Sequence, residues 1–241
     1  MRRMALIITA TLALCGRSGA ENAQKLLESA TLFGERGAAI ARMEMRIQSR
    51  DGEKTREIEL MIDHGAGKVR TVARIVSPSF LTGMKFLKIR EAGKPDAQWL
   101  RTSSGVRRLG ESNKSETIFG SNFTVEDFGA IDATGFDIAL LPAKDSSTAR
   151  AVRALPKTPT YYHEKILWVE KDSSLVSAME YHDPEGRVLK RYEVMTFSAT
   201  RDHPIDAKMI DPNSGTTTLL HIISLEMRPS LSDRFFSPGA L

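Results

Sequence analysis

The sequence predicts a mainly β protein, and three consecutive stretches of the chain support this. Residues 41–50 alternate strictly between apolar and polar side chains, as in a strand with one buried and one solvated face. Asp51-Gly52, a strong hairpin signal, leads into a second alternating run at residues 57–63. A third run follows at residues 68–75. The three strands share one apolar face, which either a second layer of protein or a ligand must cover.

Strand-like runs continue along the rest of the chain. They recur about every 8–12 residues, which favours a sheet, a sandwich or an open barrel. We predict these further strands at residues 84–91, 98–102, 106–109, 136–141, 150–155, 161–171, 175–182, 188–199, 205–210 and 216–227. Before the strands, residues 21–36 have helical spacing of apolar side chains. That helix either packs on the sheet or covers the mouth of a cavity.

The N-terminal residues predict export. Arg2-Arg3 precedes an apolar run at residues 4–14, and Ser18-Gly19-Ala20 supplies small residues for cleavage, as in a secretory signal peptide. We therefore assign residues 1–20 to a signal peptide and residues 21–241 to a single domain. Cys15 follows a stretch that resembles a lipobox and is a candidate lipid anchor, so a soluble and an anchored form both stay open.

Charge and cysteine content exclude some classes of protein. The signal peptide holds three arginines and no acidic residue, so its removal lowers the net charge from +4 to +1. A nucleic-acid-binding protein would need a more basic surface. The single cysteine forms no disulfide framework.

The sequence lacks the common catalytic signatures. We find no G-x-S-x-G, H-E-x-x-H or C-x-x-C motif and no glycine-rich phosphate loop. The five histidines are scattered, without the spacing of a metal site. We therefore predict a protein that is not an enzyme, with no catalytic residue, no metal and no cofactor.

Residues 120–128, which read GSNFTVEDF, carry a resemblance to a known family. They resemble the motif G-S-D-F-(T/S)-x-E-D-(L/F) of LolA-like outer-membrane lipoprotein-sorting proteins, with Asn122 where aspartate is usual. Residues 78–89, 99–100 and 106–109 also resemble family stretches. The likeness covers nearly all of residues 38–241, but the segment between Leu141 and Tyr161 lacks a convincing family pattern. The motif residues are Gly120, Ser121, Phe123, Glu126, Asp127 and Phe128. Thr124 followed by Asp127 also predicts a short capped turn.

The resemblance implies a strongly curved antiparallel sheet that forms an incomplete barrel, with helices covering its concave face. It implies a carrier in the periplasm of a Gram-negative envelope that holds acyl chains of lipoproteins, or a related lipid, for transfer towards the outer membrane. An inner-membrane transporter and an outer-membrane acceptor are the implied partners. The alternatives are a non-catalytic accessory protein of an envelope transporter and a lipid or ester hydrolase.

The residues that would line the hollow come from the first strands and their connections. Methionine suits a flexible lining because its side chain adapts to irregular space. A filled core has the same composition, so both interpretations stay open at this point. The predicted lipid-binding residues are Met43, Met45, Ile58, Leu60, Ile62, Phe80, Met84, Phe86 and Leu100.

Overall fold

The computed structural model describes residues 22–32, 37–65, 67–91, 93–128 and 133–241. The predicted signal peptide and Cys15 lie outside these residues. No helix within the described ranges is long and apolar enough to cross a membrane.

Thirteen strands dominate the described residues, which confirms the prediction of a mainly β fold. They are β1 Ala38–Ser49, β2 Gly52–Gly65, β3 Lys68–Ser77, β4 Lys85–Glu91, β5 Ala97–Thr102, β6 Gly105–Leu109, β7 Phe136–Leu140, β8 Ala149–Pro156, β9 Glu164–Glu170, β10 Val176–His182, β11 Val188–Phe197, β12 Pro204–Asp211 and β13 Thr216–Arg228. Gly52 takes a φ of 115°, which glycine adopts readily, so the predicted Asp51-Gly52 hairpin forms. The predicted strand at residues 161–171 is too long at its start, because the chain joins β9 only at Glu164.

All thirteen strands form one antiparallel sheet in the order β6-β5-β4-β3-β2-β1-β13-β12-β11-β10-β9-β8-β7. The pairing of β1 with β13 joins the two halves of the chain. β6 and β7 follow each other in sequence but lie at opposite edges, so the sheet stays open. Side chains from β4 and β5 nevertheless share a cleft with side chains from β9 and β10. The sheet is therefore an incomplete barrel, as the resemblance implies.

One α-helix, rather than several, is present in the described residues, and short 3₁₀ turns supply the remaining helical structure. The described helix covers residues 22–28 and residues 29–32 are not helical, so the predicted helix is too long, while residues 33–36 lie outside the described residues. The Ser29 hydroxyl donates to the Leu26 carbonyl at 2.9 Å as the helix ends. Thr31 then bonds through its backbone to Ser174 and Val176 at 3.1 and 2.8 Å. These bonds to the start of β10 replace further helical turns.

A second apolar cluster lies on the outer face of the sheet. Met61, Val72 and Leu87 project from β2, β3 and β4, and Phe236 and Leu241 from the C-terminal segment pack over them. Met61 is an apolar residue on the otherwise polar face of β2, and its contact with the C-terminal segment explains why it is apolar.

The connection from β6 to β7 crosses the concave face and carries a tight segment at residues 118–128, which we call the corner. Gly120 has a φ of 69°, which glycine accepts without steric cost, and Phe119 has a φ of 55°, which is uncommon for a residue with a side chain. The Thr124 N–H donates to Asp127 Oδ2 at 2.6 Å, so the predicted capped turn is present. Phe123 and Val125 are buried, so the corner plugs into the core.

Asn122 fastens the corner to β13. Its side-chain nitrogen donates to the Thr216 carbonyl at 2.8 Å, and its side-chain oxygen accepts from the Thr218 hydroxyl at 3.0 Å. An ionised aspartate has no donor for the Thr216 carbonyl. The asparagine therefore makes a contact that the usual family residue could not make.

Asp127 fastens the corner to the second half of the sheet. Its carboxylate pairs with Lys190 and accepts a hydrogen bond from the Tyr162 hydroxyl at 3.0 Å. The Asp127 side chain is only 1% exposed. Burial raises the pKa of Tyr162, and the nearby Asp127 charge raises it further. Tyr162 therefore stays a neutral donor to the carboxylate.

We predict that Asp127→Asn lowers the free energy of unfolding by about 3 kcal/mol, because it leaves Lys190 buried without a counter-charge. Chemical denaturation measures the change. Asp137→Asn, at an exposed position of β7, is the matched control and should be near neutral. Equal stabilities of the two variants would show that the buried pair does not secure the corner.

The outer cluster gives a second stability prediction. Phe236→Ala should lower the free energy of unfolding by about 3 kcal/mol, since it opens a cavity under the C-terminal segment. Phe80→Ala removes the same ring from a position that is 83% exposed, and should change stability by less than about 0.5 kcal/mol. A small effect of Phe236→Ala in the same denaturation experiment would contradict a stabilising role for this segment.

Candidate functional site

An apolar cavity, which we call the slot, lies between the concave face and the corner. It contains about 840 Å³ of space free of protein atoms, counting its open mouth. Five of the predicted lining residues form part of its wall: Met43, Met45, Ile58, Leu60 and Ile62. All five are buried, so the slot is narrow in this conformation.

The other four predicted residues lie elsewhere. Phe86 and Leu100 are buried in the same core but do not face the slot, and the Phe86 ring packs on Phe128 at 5.1 Å between centroids. Phe80 and Met84 border a separate depression at the β3–β4 connection. The 3₁₀ turn at Ser79–Leu81 buries none of its residues, which leaves Phe80 in solvent.

Several wall residues were not predicted as lining. They come from the segment after the helix, from the corner and from the second half of the sheet: Ala30, Thr31, Leu32, Phe119, Phe123, Phe128, Val176, Tyr192 and Leu220. The sequence contains the corner phenylalanines as a recognisable motif, but not their position over the slot. The helix itself packs on the core through Leu27, and only residues 30–32, which follow it, border the slot.

The inward side chains change from apolar to polar along the strands. On β4, Phe86 belongs to the core while Lys88 and Arg90 line the next part of the concave face. Strand register repeats this change across the neighbours: Phe86 lies opposite Leu100, and Lys88 lies opposite Gln98. The concave face therefore has an apolar band and, one row away, a polar band.

The same change occurs on the other half of the sheet. On β9, Leu167 lies in the core and Lys165 lies in the polar band. Lys165 is opposite Tyr181 on β10, which is in turn opposite Lys190 on β11. The sequence signal for this band is a lysine at a strand position whose side chain faces the concave side. An alternating strand normally keeps lysine on its solvated face.

The two polar bands meet in a second cavity, which we call the cleft. It contains about 700 Å³ of space free of protein atoms, counting its open side. Leu32 and Asp127 line both the slot and the cleft, so the two spaces adjoin. The lining of the cleft is Leu32, Lys88, Arg90, Asp96, Gln98, Lys114, Glu126, Asp127, Phe136, Thr160, Lys165, Met179 and Tyr181.

Three ion pairs join residues of the cleft lining. Lys88 Nζ lies 3.0 Å and Arg90 Nε lies 3.2 Å from the Asp96 carboxylate, and Lys165 Nζ lies 3.0 Å from the motif residue Glu126. Burial lowers the pKa of Lys88 to about 8, against the attraction of Asp96 and with added repulsion from Arg90. The cleft therefore holds a lysine whose charge its neighbours compensate only in part.

The remaining motif residues have structural contacts. The Ser121 hydroxyl donates to the Ile118 carbonyl at 2.7 Å and accepts from the Phe123 N–H at 3.1 Å. Phe123 and Phe128 pack edge-to-face at 6.2 Å. The motif therefore shapes the corner and, through Glu126 and Asp127, places two carboxylates beside the cleft.

Comparison with known proteins begins with families. Residues 67–241 match a family model whose description reads "-like: Uncharacterized protein". A search of curated proteins finds no match.

Solved structures show a common fold. A Vibrio parahaemolyticus domain described as an outer membrane lipoprotein-sorting protein is 23% identical, with a TM-score of 0.81 over 92% of this chain and 97% of that one. A DUF1329 family protein from Desulfovibrio piger is 20% identical, with a TM-score of 0.80 over 93% and 98%. A LolA superfamily protein from Nitrosomonas europaea is 19% identical, with a TM-score of 0.69 over 91% and 99%.

The matched model covers most of the chain, and the open thirteen-stranded sheet has the architecture of these structures. The chain belongs to the family that this model defines, and its fold is LolA-like.

Proposed function

We propose that the protein is a non-enzymatic periplasmic carrier that holds the acyl chain of a lipoprotein, or of a related lipid, in the slot. The observation that carries this proposal is an apolar cavity inside an open sheet with the LolA-like fold. Only about 60 Å³ of the slot is open to the centre of a water-sized sphere, so the slot must widen to take an acyl chain. The description of the Vibrio parahaemolyticus neighbour as a lipoprotein-sorting protein supports the same class of cargo.

The energetic demand on such a carrier is large. Each methylene that leaves a membrane loses about 0.8 kcal/mol, so a chain of about fifteen costs on the order of 12 kcal/mol. The slot must offset most of this cost by apolar contact and still release the chain to an acceptor. Met43 and Met45 suit the task because they can adopt several rotamers without losing contact.

The corner is the part of the wall that moves in this proposal. The slot is narrow between the sheet and the rings of Phe119, Phe123 and Phe128. An acyl chain widens it by displacing these rings, while the hydrogen bonds of Asn122 keep the base of the corner on β13. The described wall contains no serine, histidine or cysteine, and we propose no catalytic step.

The proposal predicts that the protein purified from a periplasm retains lipid in native mass spectrometry and that it binds the fluorescent probe N-phenyl-1-naphthylamine. Leu60→Trp should lower the affinity for oleate about tenfold, because the indole fills the space of about two methylene groups of the ligand. Titration of bound probe with oleate measures the affinity.

Leu87→Trp is the matched control, because it adds the same volume to a buried leucine on the outer face of the sheet. It should cost stability without changing oleate affinity. A wild-type protein that retains no lipid and binds no probe would overturn the carrier proposal and favour the accessory role. Equal affinities of the two variants would place the ligand outside the slot.

A further inference from the structure

We infer that the cleft is a head-group subsite, which binds the anionic, hydroxyl-bearing end of the amphipathic ligand whose chain occupies the slot. This inference rests on the proposed carrier function and adds the chemical class of the ligand. The shared chemistry is a phosphate or carboxylate with a hydroxyl nearby.

Continuity between the two cavities is the first support. Leu32 and Asp127 belong to both linings, so a ligand can pass from one to the other without crossing the sheet. The row that carries Gln98 and Lys88 continues to Thr71, which lines the slot, so the boundary between the two linings falls between Lys88 and Thr71. One amphipathic molecule that crosses this boundary would match the apolar band with its chain and the polar band with its head.

Charge is the second support. Four cationic side chains line the cleft, Lys88, Arg90, Lys114 and Lys165. Three carboxylates face them, Asp96, Glu126 and Asp127. Lys190 does not line the cleft, but it pairs with Asp127 and compensates the charge of that carboxylate. Lys114 also pairs with the exposed Glu111 at 2.5 Å. Lys88 and Arg90 share the carboxylate of Asp96, and Lys165 lies close enough to add its charge to theirs, so the cleft favours an anion.

The burial of Lys88 makes the concentration of positive charge in the cleft important for binding. Lys88 is 5% exposed and lies close enough to Arg90 and Lys165 for both to disfavour its charge. Water screens a charge at the surface, whereas a buried charge is stabilised more strongly by a bound counter-charge. Lysine and arginine N–H groups also form their strongest hydrogen bonds with phosphate or carboxylate oxygens.

Gln98 is the third support, and it is independent of charge. It is 7% exposed, lies opposite Lys88 in the β4–β5 register and lines the cleft. Its Oε1 atom is buried and accepts no hydrogen bond from the residues that the structure describes. Because an unsatisfied buried acceptor costs about 1–3 kcal/mol, a ligand hydroxyl donating to it would be favoured.

The test compares three lipids that share one oleoyl chain: lysophosphatidylglycerol, with a phosphate and hydroxyls; oleate, with a carboxylate; and monooleoylglycerol, which is neutral. Each displaces N-phenyl-1-naphthylamine from the full-length protein below its micelle concentration. We expect lysophosphatidylglycerol to bind about tenfold more tightly than monooleoylglycerol. Oleate shows whether a carboxylate can replace the phosphate.

Lys88→Met should reduce this anionic-to-neutral preference to about threefold or less. Arg90→Gln, at a less buried position, supplies a second variant if Lys88→Met does not fold. Lys94→Met removes an exposed lysine in the β4–β5 turn and is the matched control, with the wild-type preference expected. Gln98→Leu should weaken lysophosphatidylglycerol binding more than oleate binding, since oleate has no hydroxyl to donate.

The preference should also fall as pH rises from 7 to 9. Lys88, with a pKa of about 8, is protonated at pH 7 and loses its proton across this interval, while the phosphodiester keeps its charge. The groups that face Lys88 are Arg90, Asp96, Gln98 and Lys165. Lys88→Met removes the titrating group, so this variant should show little pH dependence over this range.

The outcomes separate the two proposals. If all three lipids bind equally and the variants have no effect, the head-group inference fails and the carrier proposal stands. If none of the lipids displaces the probe, both proposals are overturned. A preference for monooleoylglycerol would identify the cleft as a structural ion-pair network that does not bind the ligand.

Discussion

The structure depends on one constraint: a single open sheet cannot cover its own concave face. The pairing of β1 with β13 makes the sheet continuous, but it leaves β6 and β7 at opposite edges although they are neighbours in sequence. The chain must therefore cross the hollow between them. The corner uses this crossing to cover the apolar band, and the Asp127–Lys190 pair holds it there. The slot is the space that this cover leaves unfilled.

Much of the fold could be predicted because strand alternation and turn residues are local signals. The helix end could not, because hydrogen bonds from Thr31 to Ser174 and Val176 decide it, and these partners are more than 140 positions away. Five predicted lining residues lie in the slot because the phase of β1 and β2 is readable from sequence. Phe80 does not, because a short 3₁₀ turn sets its direction and no periodicity encodes that turn.

The cleft was not predicted from the sequence, although part of it could have been. Lys88 follows the inward Phe86 by two positions, so its inward direction could be deduced from the same alternation that placed Phe86. Asp96 lies beside it across the β4–β5 hairpin, but Lys165 and Glu126, from the other half of the sheet and the corner, come near it only when the sheet bends. The family motif likewise predicts a corner, but the use of Asn122 as both donor and acceptor towards β13 requires the three-dimensional structure.

The open edges have a consequence for how copies of this protein behave at high concentration. An unpaired strand offers backbone N–H and C=O groups to any other strand, which is a common route to association. Both edge strands are only five residues long. β6 also carries Arg107 and Arg108 next to each other in exposed positions. Two β6 strands that paired with each other would bring these arginines together, and repulsion between the guanidinium groups disfavours that pairing.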